Sequence, residues 1–232
     1  MKYYFSRHYS IINRIDLSSD ESIKNWYDKT EIEYKYELKR FLGDDYKRKS
    51  ILDLGCGIGG VLNFLKNSEC TDYFGIDSSH EQVEVCKKYI TNNIAEIDLF
   101  EFLNSNSKKY NIIFLLDVLE HIQKERIIEL LELIKKSLSS NGKLIIRTPN
   151  MESFYAAYGR YIDFTHQIGF TSESLHQVLS EAEFDNIKFF NSSIGRKRIY
   201  LLKLVHKFFA ILYRSRFSDI VTMNILSTAH KK

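Results

Sequence analysis

Proline is almost missing from this chain: Pro149 is the only one in 232 residues. With no repeats and no Gly/Ser-rich stretch either, a stiff or flexible linker between modules is excluded. Cysteine is scarce too. Cys56, Cys70 and Cys86 are odd in number, scattered and without metal-ligand spacing, which excludes a disulfide scaffold and a zinc-cysteine site. No run approaches the roughly 18 consecutive apolar residues of a membrane span. The opening Met1–His8 lacks the apolar core of a secretory signal, so the expected setting is the cytoplasm. Neither sign of charge prevails. With 33 basic and 30 acidic residues the net charge is +3, and no DNA partner is expected.

What is present is material for one packed core: 44% of residues are apolar and 14% aromatic. From Asp20 to Leu42, Ile23, Trp26, Tyr27, Ile32, Tyr36 and Leu38 recur at helical spacing among charges. From Ser50 onward, short apolar runs alternate with helical stretches. Strands are expected at 51–54, 73–76, 94–97, 111–116 and 143–148, the last stopped by Pro149. The helix through Ile127, Leu131 and Leu138 is expected to end at Asn141-Gly142. Such alternation predicts a doubly wound, Rossmann-like α/β sheet. The expected division is a helical N-terminal extension over 1–45 and one α/β domain over 46–232.

Between the first strand and its helix lies Asp53-Leu-Gly55-Cys56-Gly57-Ile-Gly59-Gly60. Its glycines also spell G-x-G-x-x-G, a weak dinucleotide signal in isolation. Asp53 separates the candidates, because a carboxylate at the strand's carboxyl end suits a cationic ligand group and not a pyrophosphate. Asp77 closes the second strand and can accept from ribose hydroxyls. Asp98 follows the third and can accept from an adenine amino group. A nicotinamide-dependent sugar-nucleotide oxidoreductase is the alternative, and it is disfavoured by Asp53 and by the lack of a Tyr-x-x-x-Lys pair near the expected position.

These residues resemble the motifs of class I S-adenosylmethionine-dependent methyltransferases: Asp53–Gly59, then Gly75-Ile-Asp77, then Glu96-Ile-Asp98. Asn111–His121 resembles that family's fourth-strand motif, and Leu138–Ile146 its approach to the fifth. The resemblance implies a seven-stranded, mostly parallel sheet with an antiparallel last strand. It also implies S-adenosylmethionine as cofactor, held by Asp53, Gly55, Cys56, Gly57, Gly59, Asp77, Ser78, Asp98, Leu99 and Asp117.

Asp117, Glu120 and His121 follow the fourth strand, and on a helical turn they would share one face. Two carboxylates and an imidazole can hold a divalent cation, or a carboxylate can orient His121 as a base. An acid-x-x-Glu-His motif with a later histidine is similar to that of ubiquinone-pathway and small-RNA O-methyltransferases. That likeness implies Mg²⁺ or Mn²⁺ held by Asp117, Glu120, His121 and His166, although Asp117 stands where those families carry a longer Glu. These four residues are also the candidate catalytic set.

Tyr158, Arg160, Tyr161 and Asp163 are candidate acceptor contacts, the aromatic faces for rings and the guanidinium for a phosphate or carboxylate. Residues 196–216 read as a basic, apolar helix. It suits an anionic membrane surface on the cytoplasmic side, a cover for the active site, or a homodimer contact. Thr222–Ser227 is expected as the closing edge strand. The 147–150 turn, the 163–171 segment and the basic helix together resemble methyltransferases of bacterial surface-polysaccharide and lipopolysaccharide loci. This implies O-methylation of a sugar, nucleotide-sugar or sugar-phosphate glycan precursor. Quinone- or phenol-type small molecules and RNA termini are the alternative acceptors.

Overall fold

The computed structural model of the chain describes residues 15–192, 196–212 and 218–231. Its centre is a seven-stranded sheet in the order β3-β2-β1-β4-β5-β7-β6. The strands are β1 (Ser50–Leu54), β2 (Asp72–Asp77), β3 (Ile94–Glu96), β4 (Tyr110–Leu116), β5 (Leu138–Pro149), β6 (Asp185–Asn191) and β7 (Asn224–His230). The first five run parallel, and β7 runs antiparallel to both β5 and β6. The mostly parallel sheet with an antiparallel last strand is therefore as the sequence implied.

Period-two alternation builds both faces of this sheet. Ile51, Ile112, Phe114 and Ile145 face one core, with helices α1 (Asp20–Glu37), α3 (Gly60–Asn67) and α4 (His80–Tyr89) against them. Leu52, Leu54, Ile113, Leu115, Leu144 and Ile146 face the other, under α5 (Leu99–Ser105), α6 (Ile127–Ser137) and α8 (Ser172–Glu181). β4 lies between β1 and β5 and is buried on both faces, which is why its sequence reads as an unbroken apolar run. Each fully buried Leu, Ile or Phe contributes about 1.5–3 kcal/mol relative to exposure.

The N-terminal helix belongs to this core. Ile23 and Tyr27 of α1, Leu38 at its C-cap, and Phe41 and Leu42 of the one-turn α2 (Lys39–Leu42) are buried in the same cluster as β1 and α3. Ser19 caps α1, its hydroxyl accepting from the Ser22 N–H at 3.2 Å.

Two expectations are corrected. The helix before β5 ends at Ser137 and not at Asn141-Gly142: Leu138 is extended, buried and paired with Tyr110, so burial and sheet pairing override the later stop signal. β7 is not the edge strand either. Ile225–Thr228 are buried and paired on both sides, whereas the half-exposed β6 forms the edge. Between β6 and β7 stand the basic helix, α9 (Arg196–Leu212), and a return segment. Residues 213–216, which the sequence reading assigned to that helix, lie outside the described residues.

Candidate active site

Strand order reverses between β1 and β4, and the crevice at their carboxyl ends is where a doubly wound sheet binds ligands. The glycine turn fills that position already folded. Gly55 and Cys56 both donate N–H bonds to the Ile76 carbonyl at 2.9 Å, tying the turn to β2. Gly55 has φ +74°, and a Cβ there would lie 2.5 Å from the Val118 Cγ2, so glycine lets the turn close onto the segment after β4. Asp77 completes the tie, accepting from the Gly57 N–H and the Ser79 N–H, each at 2.8 Å.

Helix α1 lies across this turn. The Tyr27 hydroxyl donates to the Ile58 carbonyl at 2.5 Å, and a Cβ on Gly60 would meet the rings of Trp26 and Tyr34 at 2.9 Å. Trp26, Tyr27 and Tyr34 are not among the site residues that the sequence motifs mark. Nothing in their spacing distinguishes them from ordinary core positions.

Asp53 is the acid of the turn whose charge is least compensated by hydrogen bonds. It is buried and has no hydrogen-bond donor among the described residues. Burial, with Asp77 adding to it and Arg147 opposing, pushes its carboxyl up to about 8. A buried carboxylate without a donor is stabilised by a cation, so the site fits the α-ammonium of S-adenosylmethionine. Asp77 is also raised by burial, against the pull of its backbone donors, and each oxygen keeps a lone pair for a ribose hydroxyl. Asp98 serves chiefly as the N-cap of α5, one oxygen accepting from the Phe100 N–H at 2.8 Å and the Glu101 N–H at 3.2 Å. Its other oxygen remains for an adenine amino group. Cys56 is buried in the turn, Ser78 is exposed beside Asp77, and half-buried Leu99 opens α5.

The segment after β4 does not form one helical face. Leu119–His121 is a single 3-10 turn, and Asp117 stands before it with φ +55°. Arg147 holds the Asp117 carboxylate in a fork, Nε at 3.1 Å and Nη2 at 2.5 Å. Through Nη1 the same guanidinium reaches Glu37 of α1 at 2.6 Å. The expected four-residue ligand set is thereby corrected. Glu120, His121 and His166 bring donor atoms within 4.8 Å of one another, and Asp117, drawn aside by Arg147, is not in the set.

His166 reaches this point because its loop is stapled to the 3-10 turn. Gln167 and Ile168 donate N–H bonds to the Glu120 carbonyl at 2.7 and 3.2 Å. Arg160, in α7 (Ala156–Tyr161), donates to the carbonyls of His166 and Gln167 at 2.6 and 3.1 Å. Beyond its expected place among the acceptor contacts, its guanidinium therefore holds the loop. Tyr158 and Tyr161 are exposed on α7.

Both imidazoles have an assigned tautomer. Thr165 donates its one hydroxyl proton to Asp163 Oδ1 at 2.6 Å, so the Oγ1 can only accept from His121 Nδ1 at 2.9 Å. His166 Nδ1 faces the Gly159 carbonyl at 2.9 Å and must donate to it. Each histidine keeps a lone pair on Nε2, and the rings stand edge to face with centroids 4.8 Å apart. Burial, reinforced by His166, lowers the pKa of His121 against the pull of Asp163 and Asp117, which favours the neutral, basic form. Asp163, expected among the acceptor contacts, is buried and anchors this relay. Thr165 escaped the sequence reading, although Asp163-x-Thr165 has the spacing of a side-chain-to-backbone turn, here the Thr165 N–H to Asp163 Oδ1 bond of 2.7 Å. Glu120 is buried, its carboxyl raised well above the usual range by burial and by Asp117, and it accepts from the Thr148 hydroxyl at 3.1 Å.

Comparison with known proteins follows the same lines. A family described as a methyltransferase domain matches residues 27–188. A search of the curated proteins finds no match. Among solved structures, a SAM-dependent methyltransferase from Archaeoglobus fulgidus is similar at TM-score 0.67 and 22% identity, over 88% of this chain and 94% of that one. A SAM-dependent methyltransferase from Thermotoga maritima gives TM-score 0.64 at 13% identity, over 100% and 98%. The magnesium protoporphyrin IX methyltransferase from Synechocystis with bound SAH gives 0.62 at 14%, over 100% and 97%. At such identities the likeness speaks for the fold.

Proposed function

The chain belongs to the methyltransferase-domain family and is an S-adenosylmethionine-dependent methyltransferase, and from that premise we propose that it methylates a hydroxyl oxygen of a sugar, nucleotide-sugar or sugar-phosphate. When bound, the cofactor supplies an electrophilic methyl group on a sulfonium. Asp53 would hold its ammonium, Asp77 its ribose hydroxyls and the second oxygen of Asp98 its adenine amino group. The turn and the segment after β4 meet at the contact between Gly55 and Val118, which brings the cofactor side within a few residues of His121. This positions the two reactants, the main way such a transfer is accelerated.

An alcohol is almost fully protonated at neutral pH, so a proton acceptor must stand beside it. The observation that carries the reading is the Asp163–Thr165–His121 relay, which occupies Nδ1 and leaves the lone pair of Nε2 free to take the proton. The exposed rings of Tyr158 and Tyr161 suit the apolar face of a sugar. Product mass spectrometry against a panel of nucleotide-sugars, sugar phosphates, phenols and amines tests the assignment. A methylated sugar oxygen is the expected product, and turnover confined to phenols or amines would sink it.

One observation favours a second reading of the same centre. Glu120, His121 and His166 offer an oxygen and two imidazole nitrogens within 4.8 Å, with both Nδ1 atoms held by outer partners as in metal sites. Mg²⁺ or Mn²⁺ there would draw off the proton of Glu120 and lower the pKa of the acceptor hydroxyl. Asp117 stays with Arg147 in either case.

A further inference from the structure

Helix α9 is apolar on the wrong side for a soluble surface helix. Its inward residues include His206 and Ala210, and the His206 ring packs edge-on against Phe154 at 4.2 Å. Tyr200, Leu201, Leu204, Phe208, Ile211 and Leu212 all point outward, Phe208 62% and Ile211 70% exposed. Their spacing draws one continuous stripe along the helix. A patch of this kind on a soluble protein marks a surface that something covers.

Charge identifies the cover. The helix carries five Lys or Arg residues and no Asp or Glu, with Lys197, Arg198 and Lys207 exposed. A second copy packed across a twofold axis would set two all-cationic helices side by side, each lacking an acid to pair with the other. An anionic lipid surface answers both features at once, acyl chains taking the stripe and headgroups taking the cations. The helix has 17 residues, roughly 25 Å at 1.5 Å per residue. No described helix is long and apolar enough to cross a membrane, so α9 would lie in the interface plane.

We propose that the outward face of α9 docks this protein on an anionic membrane surface. The contact of Phe154 with His206 seats the helix on the segment leading into α7, so docking would place the acceptor side of the site near the headgroups. That would suit an acceptor carried on a lipid, although docking itself does not depend on the acceptor's identity.

The test is co-sedimentation of the full chain with phosphatidylglycerol vesicles and with phosphatidylcholine vesicles, at low and high salt. Binding to the anionic vesicles should fall at least tenfold as salt rises, and neutral vesicles should bind weakly. The double variant Leu204→Glu, Phe208→Glu changes exposed positions only and should lose vesicle binding, with calorimetric affinity for S-adenosylmethionine unchanged as a control on folding. No binding to anionic vesicles at low salt overturns the proposal. So does undiminished binding by the double variant. A wild-type dimer in sedimentation equilibrium that the same substitutions split would overturn it as well, and assign the stripe to a second copy.

Discussion

Glu37 and Arg147 are 110 residues apart in sequence and 2.6 Å apart in space, joined in a largely buried ion pair whose guanidinium also holds the more exposed Asp117. The pair locks the C-terminal end of α1 to the sheet beside the site, while Tyr27 locks its middle to the glycine turn. Glu37→Gln keeps the shape and removes the charge. It should cost about 1–3 kcal/mol in thermal or denaturant unfolding, because Arg147 keeps Asp117 as a partner. Cofactor affinity should fall with it, since α1 lies across the turn. Unchanged affinity in calorimetry would separate α1 from the cofactor site.

Asp53 makes the protein's response to pH depend on the cofactor. Its folded pKa of about 8 lies above the ordinary 3.8, so its contribution to the free protein's stability is complete below about 4 and is lost as pH rises through 8. Asp53→Asn should therefore raise the melting temperature of the free protein, and by more at pH 8 than at pH 5. The bound ammonium requires the ionised form. Cofactor binding at pH 7 should release a proton, and affinity should rise between pH 6 and 8 by at most about tenfold per unit. The asparagine variant should bind weakly with no such slope. Calorimetry in buffers of different ionisation enthalpy reads the proton directly, and a wild-type protein that releases none would refute the role.

The relay to His121 predicts a split between chemistry and binding. Thr165→Val keeps the volume and removes the hydroxyl, so Nδ1 loses its acceptor and the tautomer is no longer held. Turnover should drop about 10- to 100-fold. Cofactor affinity should hold, and Thr165→Ser should restore most of the rate. Equal rates for the valine and wild-type proteins would take Thr165 out of the mechanism.

Base and metal are told apart by chelation. If His121 acts alone, turnover continues in excess chelator and His166→Ala retains a substantial rate. With an ion at Glu120, His121 and His166, chelation abolishes turnover, Mn²⁺ or Mg²⁺ restores it, and His166→Ala reproduces the loss with cofactor binding intact. Turnover in chelator is the result the first reading requires.

Gly55 offers a test of the fold itself. Alanine there meets both the positive φ and the methyl of Val118, and should destabilise by about 2 kcal/mol or more. Adding Val118→Ala relieves only the second, so the double variant should recover part of the loss. Full recovery would mean the backbone conformation carries no cost.

Much of the architecture was legible because it is local. Period-two alternation, apolar runs bounded by glycine, and acids at strand ends follow from backbone geometry, and they located β1 to β5, the glycine turn, Asp53, Asp77 and Asp98. The basic and apolar character of α9 was equally plain, since composition needs no partner to be read. What the chain alone left open lies where distant segments compete. Asn141-Gly142 reads as a helix stop, yet burial of Leu138 against the sheet ends the helix sooner. Thr222–Ser227 reads as an edge, yet β6 folds outside it. Asp117, Glu120 and His121 read as one ligand face, but the positive φ at Asp117 and a guanidinium from β5 turn the first of them away. Arg160 and Asp163 read as acceptor contacts, and only the fold shows that both also brace the His166 loop. Local patterns fix which residues are available at the carboxyl ends of the strands. Only tertiary packing decides which of them meet, because a charge or a donor goes to the nearest partner in space, and that partner may lie 30 or 110 positions away.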